Sequence, residues 1–121
     1  MIGLSEEDVR VAITTLLRRT QSSQASWKRW QGSEEYLTST AKFTFYIKSR
    51  DDDDNPPYVF EIWRKISEDS ESNPESVKVA EVMTKQSGEL NGELSTLYTA
   101  AKMNAFGISD LRNDLLGDLG Q

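Results

Sequence analysis

The chain contains no cysteine and no histidine among its 121 residues. Without cysteine there is no disulfide framework and no thiolate chemistry, which suits a reducing compartment. Without histidine the commonest general base and the commonest metal ligand are both missing. Ser-His and Cys-His nucleophile systems and the usual zinc sites therefore cannot be built from this chain alone. Proline occurs only three times. No apolar run approaches the ~20 residues needed to span a bilayer. The start, Met1-Ile2-Gly3-Leu4 and then Ser5-Glu6-Glu7-Asp8, has neither the basic opening nor the apolar stretch of a signal peptide. A cytoplasmic protein, without a membrane partner and without a cofactor or metal, is the expectation.

Charge is abundant and unevenly spread. The net charge is −6. Residues 1–50 carry a net +3 and residues 51–121 a net −9, counting Lys and Arg against Asp and Glu. Such asymmetry suits two faces with different surroundings. The length fits one domain, 1–121, with a single continuous core.

Periodicity assigns the elements. Ser5 followed by three acids reads as a capped helix start. Val9, Ile13, Leu16 and Thr20 recur at helical spacing, and the stripe runs on in register through Ser23, Trp27 and Trp30. A helical region over 5–31 is expected, as one helix or as two broken within the serine-rich 21–26, with Gly32 as terminator. The period then drops to two. Strands are expected over 40–49, 58–66 and 76–84, with Phe43, Phe45, Ile47, Phe60, Ile62, Val77 and Val79 on the core face. The acidic stretches Asp51–Pro57 and Ser67–Glu75 read as the intervening loops. Leu90, Leu94, Leu97 and Ala101 mark a helix over 88–105 that ends at Gly107. A last helix over 109–119 carries Leu111, Leu115, Leu116 and Leu119 on one face. The fold class is α+β: a three-stranded antiparallel meander packed against an N-terminal helical region and a C-terminal helical hairpin.

Four constellations bear on function. Arg18, Arg19, Lys28 and Arg29 beside Trp27 and Trp30 suit phosphate contacts and base stacking, although the overall acidity speaks against a nucleic-acid binder. Asp51, Asp52, Asp53 and Asp54 form an acidic loop that mimics nucleic-acid charge or simply solubilises. It lacks EF-hand spacing, because Pro56 and Ile62 stand where glycine and the bidentate acid belong. Glu61, between Phe60 and Ile62, is a carboxylate in a strand, with a cross-strand Glu–Lys pair as its expected role. Last, the sheet face opposite the core carries Tyr46 and Trp63, and the terminal helix exposes Leu111, Leu115 and Leu119. No nucleophile, base and orienting group come together as a catalytic set. The expected function is a small non-catalytic interaction or regulatory domain that binds another protein, or a second copy of itself, through that face and that helix. The alternative is an acidic decoy for a nucleic-acid-binding site.

Overall fold

Helix α1 (Glu6–Gln21) begins where the sequence places it. The Ser5 hydroxyl accepts from the Asp8 amide at 3.1 Å, and the Asp8 carboxylate accepts from the Ser5 amide at 2.9 Å. This reciprocal capping box satisfies two otherwise orphaned donors. Val9, Ile13, Leu16 and Thr20 form the buried stripe. The computed structural model describes residues 3–66, 76–85, 88–108 and 111–120.

The helix stops at Gln21, ten residues short of the expected span. Ser23 turns to a positive φ of 62°, and the amides of Gln24 and Ala25 both close on the Arg19 carbonyl. The serine-rich stretch is thus an exit loop, consistent with the preference of serine for caps and turns. Two strands follow that periodicity did not reveal, β1 (Lys28–Arg29) and β2 (Glu35–Ser39). They are joined through a tight turn in which Ser33 N–H donates to the Trp30 carbonyl, with Gln31 and Gly32 at φ 47° and 77°. Gly32 therefore serves a hairpin rather than a helix end. The aromatic stripe is divided: Trp27 is buried, while Trp30 is 45% exposed at the turn.

Strands β3 (Phe43–Ser49), β4 (Tyr58–Lys65) and β5 (Ser76–Met83) match the three expected ones to within a few residues. All five strands form one antiparallel sheet in sequential order, β1-β2-β3-β4-β5. The expected three-stranded meander is corrected to five strands, the added pair extending the β3 edge.

Alternation directs Phe43, Phe45, Ile47, Phe60 and Ile62 to the helix-covered face. In β5 the register shifts. Ile62 lies opposite Ala80 but Trp63 opposite Lys78, so Val79 is the extra residue of a bulge. A bulge reverses the parity of everything beyond it. Ala80 and Val82 therefore reach the core alongside Val79, and Val77 falls on the same face, in the row of Arg64 and Phe43, but is 47% exposed there.

Helix α2 (Asn91–Ala105) packs on α1 and on β1 through β4, burying Leu94, Leu97, Tyr98 and Ala101. It ends in a Schellman motif. Gly107, at φ +75°, donates to the Asn104 carbonyl at 3.0 Å, and Ile108 donates to the Met103 carbonyl at 2.8 Å. Gly107→Ala leaves the space unobstructed but puts a Cβ in the left-handed region. It is expected to cost about 1 kcal/mol in urea denaturation.

Helix α3 (Leu111–Asp118) buries no residue and packs extensively on no other element. The expected helical hairpin is thus two successive helices, of which only the first lies on the sheet. Its joining residues Ser109 and Asp110 lie outside the described residues, as do Glu68, Asp69, Glu71 and Glu75 of the second acidic loop. Among the described residues, no helix is long and apolar enough to cross a membrane.

Candidate functional site

Three surfaces carry the residues of interest. The first is the sheet face turned away from the helices. Register places Lys28, Leu37, Tyr46, Glu61 and Glu81 in one row across all five strands. Glu35, Lys48, Val59 and Met83 form the row on one side, and Ser39, Thr44, Trp63 and Lys78 the row on the other. Tyr46 and Trp63 meet edge to face, with ring centroids 6.3 Å apart. The Trp63 indole N–H donates to Glu61 Oε1 at 2.9 Å. Trp63 is therefore on the face expected of it, but half-buried and braced rather than freely exposed.

Glu61 is 7% exposed, and Lys48 Nζ stands 3.4 Å from its other oxygen. This is the cross-strand Glu–Lys pair, formed on the diagonal because Lys48 itself lies opposite Val59. Burial pushes the Glu35 carboxyl above its ordinary value, against the pull of Lys48, with Glu61 and Asp52 adding to the rise. Burial also raises the Tyr46 phenol, with Glu35 and Glu61 adding to it.

The second surface joins the β3–β4 loop to α2 and the β1–β2 hairpin. Tyr98 Oη lies 2.9 Å from Glu34 Oε2 and 2.8 Å from Asp54 Oδ1. Its single hydroxyl proton serves two carboxylates. Lys102 Nζ bridges the same pair at 3.2 and 2.9 Å, and Arg29 Nη2 reaches Glu34 Oε1 at 2.9 Å. Below this polar cluster Tyr58 stacks on Tyr98 at 4.4 Å and Tyr36 meets it edge-on at 5.7 Å. The Tyr36 hydroxyl is buried with no partner among the described residues.

The acidic loop is consequently built into the fold. Asp52 accepts from the Glu34 amide at 2.5 Å, Asp53 from the Ser49 hydroxyl at 3.0 Å and the Asn55 amide at 3.1 Å, and Asp54 from Tyr98. Among the described residues, Asp51 pairs only with its neighbour Arg50. Three of the four aspartates are tied into the structure. Sequence reasoning missed this network because Glu34, Asp54, Tyr98 and Lys102 are far apart in the chain. No local pattern marks them.

The network has a pH signature. Hydrogen bonds from Lys102 and then Tyr98 lower the Asp54 carboxyl. Its contribution is therefore present above the ordinary value of 3.8 and is lost as pH falls through the lower folded value. The hydrogen bond to Asp54 raises Lys102, and burial followed by hydrogen bonds to Asp54 and Glu34 drives the Tyr98 phenol far up. These two contributions are complete below the ordinary values of 10.5 and 10.0 and are lost as pH rises through the folded ones. Stability is expected to decline on the alkaline side above about pH 10. Tyr98→Phe should lower stability at neutral pH by about 1–3 kcal/mol and make the alkaline decline shallower. Urea midpoints between pH 7 and 11.5 for both proteins check this.

The third surface is α3. Leu111, Leu115 and Leu119 are 58%, 56% and 65% exposed. An eight-residue helix is marginal on its own.

The basic residues are divided between two elements. Arg18 and Arg19 sit in the last turn of α1, Lys28 and Arg29 on β1. Arg29 is held by Glu34, by the Ser33 carbonyl at 2.8 Å and over the Phe106 ring at 5.4 Å. Of the two expected stacking residues, Trp27 is in the core and Trp30 is 45% exposed. Among the described residues no group of three acids is placed to hold a metal. Among the described residues, a depression of about 550 Å³ beside the cis Pro56–Pro57 bond is mainly apolar and is not lined by Glu61.

No protein-family model matches the chain, and neither curated proteins nor solved structures give a match.

Proposed function

We propose that the chain is a small non-catalytic interaction or regulatory domain that docks on a partner protein through α3 and the open sheet face. The observation that carries this reading is the exposure of Leu111 and Leu115 on a helix with no buried residue, and of Leu119 just past its end. Exposed leucines aligned on a short helix suit a helix-in-groove contact. The open face, with Leu37, Tyr46, Trp63 and Met83, supplies the aromatic and apolar anchors that dominate binding energies.

The alternative, an acidic decoy, has less support. A decoy needs a regular row of free carboxylates, and Asp52, Asp53 and Asp54 accept hydrogen bonds from within the chain.

The test is affinity capture of the tagged chain from its native cell, with light scattering of the pure protein to find self-association. Whatever complex forms with another protein should be lost in Leu115→Asp/Leu119→Asp and weakened by Trp63→Ala. Such a complex surviving both at full affinity removes the proposal.

A further inference from the structure

Strand β5 is the long edge of the sheet. It pairs with β4 on one side, and among the described residues no strand lies on the other. It contains no proline. Such an edge offers a row of unpaired donors and acceptors to another strand.

Which groups point outward follows from the bonds at the two ends of β4. The Thr84 amide donates to the Tyr58 carbonyl at 3.0 Å, and the Lys65 amide donates to the Lys42 carbonyl at 2.9 Å. Antiparallel bonding alternates along a strand. Tyr58, Phe60, Ile62 and Arg64 therefore turn their backbone groups to β5, where Thr84, Val82, Ala80 and Val77 answer them. The backbone groups of Ser76, Lys78, Glu81 and Met83 point away from the sheet. The side chains of the same four residues lie on the open face, opposite Lys65, Trp63, Glu61 and Val59. The bulge at Val79 is the cause. Without its extra residue, Lys78 and Glu81 would fall on opposite faces.

A second copy of β5, laid antiparallel, meets this edge in one register that satisfies every constraint. With Lys78 opposite Glu81 of the copy, Ser76 stands opposite Met83 and Val77 opposite Val82. Directly opposed residues must share a face, and each of these pairs does. Outward backbone groups meet outward backbone groups throughout. Both copies carry the same bulge, so the spacing from Lys78 to Glu81 is equal on the two strands. Registers with Lys78 opposite Lys78, or Glu81 opposite Glu81, oppose like charges instead. The bond within each strand, Lys78 Nζ to Glu81 Oε1 at 3.4 Å, persists beside the crossed pairs, because the charges alternate in sign around the axis. On the helix-covered side, Val82 lines a depression of about 290 Å³ with Leu4, Val79 and Leu90, and the half-exposed Val77 of the copy stands opposite Val82. A bulge and a lysine commonly guard an edge against pairing. Here the bulge is matched by its copy and the lysine by a glutamate.

We infer that β5 is a self-association edge, at which two copies of the chain join antiparallel about a two-fold axis between Val79 and Ala80. The occupant is a second copy because the charge order and the outward groups of the strand complement themselves. The contact is separate from α3 and goes beyond the docking proposed for that helix.

The experiment is sedimentation velocity of the full chain from about 10 µM to about 1 mM, the range suited to a small contact. Reversible dimerisation is expected. Lys78→Glu and Glu81→Lys, each checked for folding by circular dichroism, should each weaken it by about 10-fold or more, since both symmetry-related pairs become like-charged. An equimolar mixture of the two variants should restore it, because each glutamate then meets a lysine of the other chain. Amide hydrogen exchange of the unaltered chain reads the same edge without a substitution. The amides of Lys78, Glu81 and Met83 should slow as concentration rises. A chain still monomeric at about 1 mM, a mixture as weak as its parts, or slowing confined to other elements overturns the inference. Dimerisation that is lost in Leu115→Asp/Leu119→Asp assigns self-association to α3 and overturns it too.

Discussion

Replacing Trp27 by alanine is expected to cost about 3–5 kcal/mol, while the same change at Trp30 stays within about 0.5 kcal/mol. The two residues are three apart and fall on one stripe if residues 5–31 form a continuous helix. In the folded chain they part. Trp27 is 3% exposed, and its indole N–H donates at 2.8 Å to the Thr20 hydroxyl, which itself donates to the Leu16 carbonyl at 2.6 Å. Its backbone amide donates to Asn104 Oδ1 at 2.7 Å, and Asn104 Nδ2 closes back on the Ala25 carbonyl at 3.1 Å. Trp27 thus fastens the exit of α1 to both β1 and α2. Removing it opens a large cavity and leaves buried polar groups without partners. Trp30 marks a turn. Urea denaturation followed by far-ultraviolet circular dichroism separates the two, and equal losses would restore the single long helix.

The second large effect concerns association rather than folding. Leu115→Asp with Leu119→Asp places two carboxylates on the exposed side of α3. Partner affinity should fall by about 100-fold or more, since interface anchors cost about 2 kcal/mol or more each when lost. The stability of the free chain should change by no more than about 0.5 kcal/mol, because neither leucine touches the core. The two readouts must diverge. Parallel loss of both would mean that the leucines stabilise the fold.

Much of the fold was legible wherever one physical period dominates. The capping box of α1, strands β3 and β4, the Leu94–Ala101 face of α2 and the Gly107 terminator all follow from local rules. The hairpin of β1 and β2 was not legible. Of the inward positions on β2 only Tyr36 is apolar, the other being Thr38, whose hydroxyl is satisfied by the Ser26 carbonyl at 2.7 Å. A polar inward residue with a distant partner erases alternation from the sequence. The bulge at Val79 was hidden for a similar reason, since Val77, Val79 and Val82 are equally apolar and only pairing with β4 shows which residue is the extra one.

The candidate site divides the same way. Tyr46 and Trp63 share the open face because parity says so, and the leucines of α3 stand out by spacing. The tethering of Asp52, Asp53 and Asp54 was invisible, since it depends on Glu34, Ser49, Asn55, Tyr98 and Lys102 meeting one loop. The partners of Arg29, Glu34 and Phe106, were equally invisible, because they converge on it only in the folded chain.

The proposed docking role divides the chain into a self-sufficient body and a last helix reserved for a partner. Urea denaturation of a chain ending at Ile108, beside the full chain, tests that division most directly. Ile108 is kept because it closes the α2 terminus. Equal unfolding free energies, to within about 0.5 kcal/mol, are the expected result. A loss of about 2 kcal/mol or more would place α3 in the core and contradict the account.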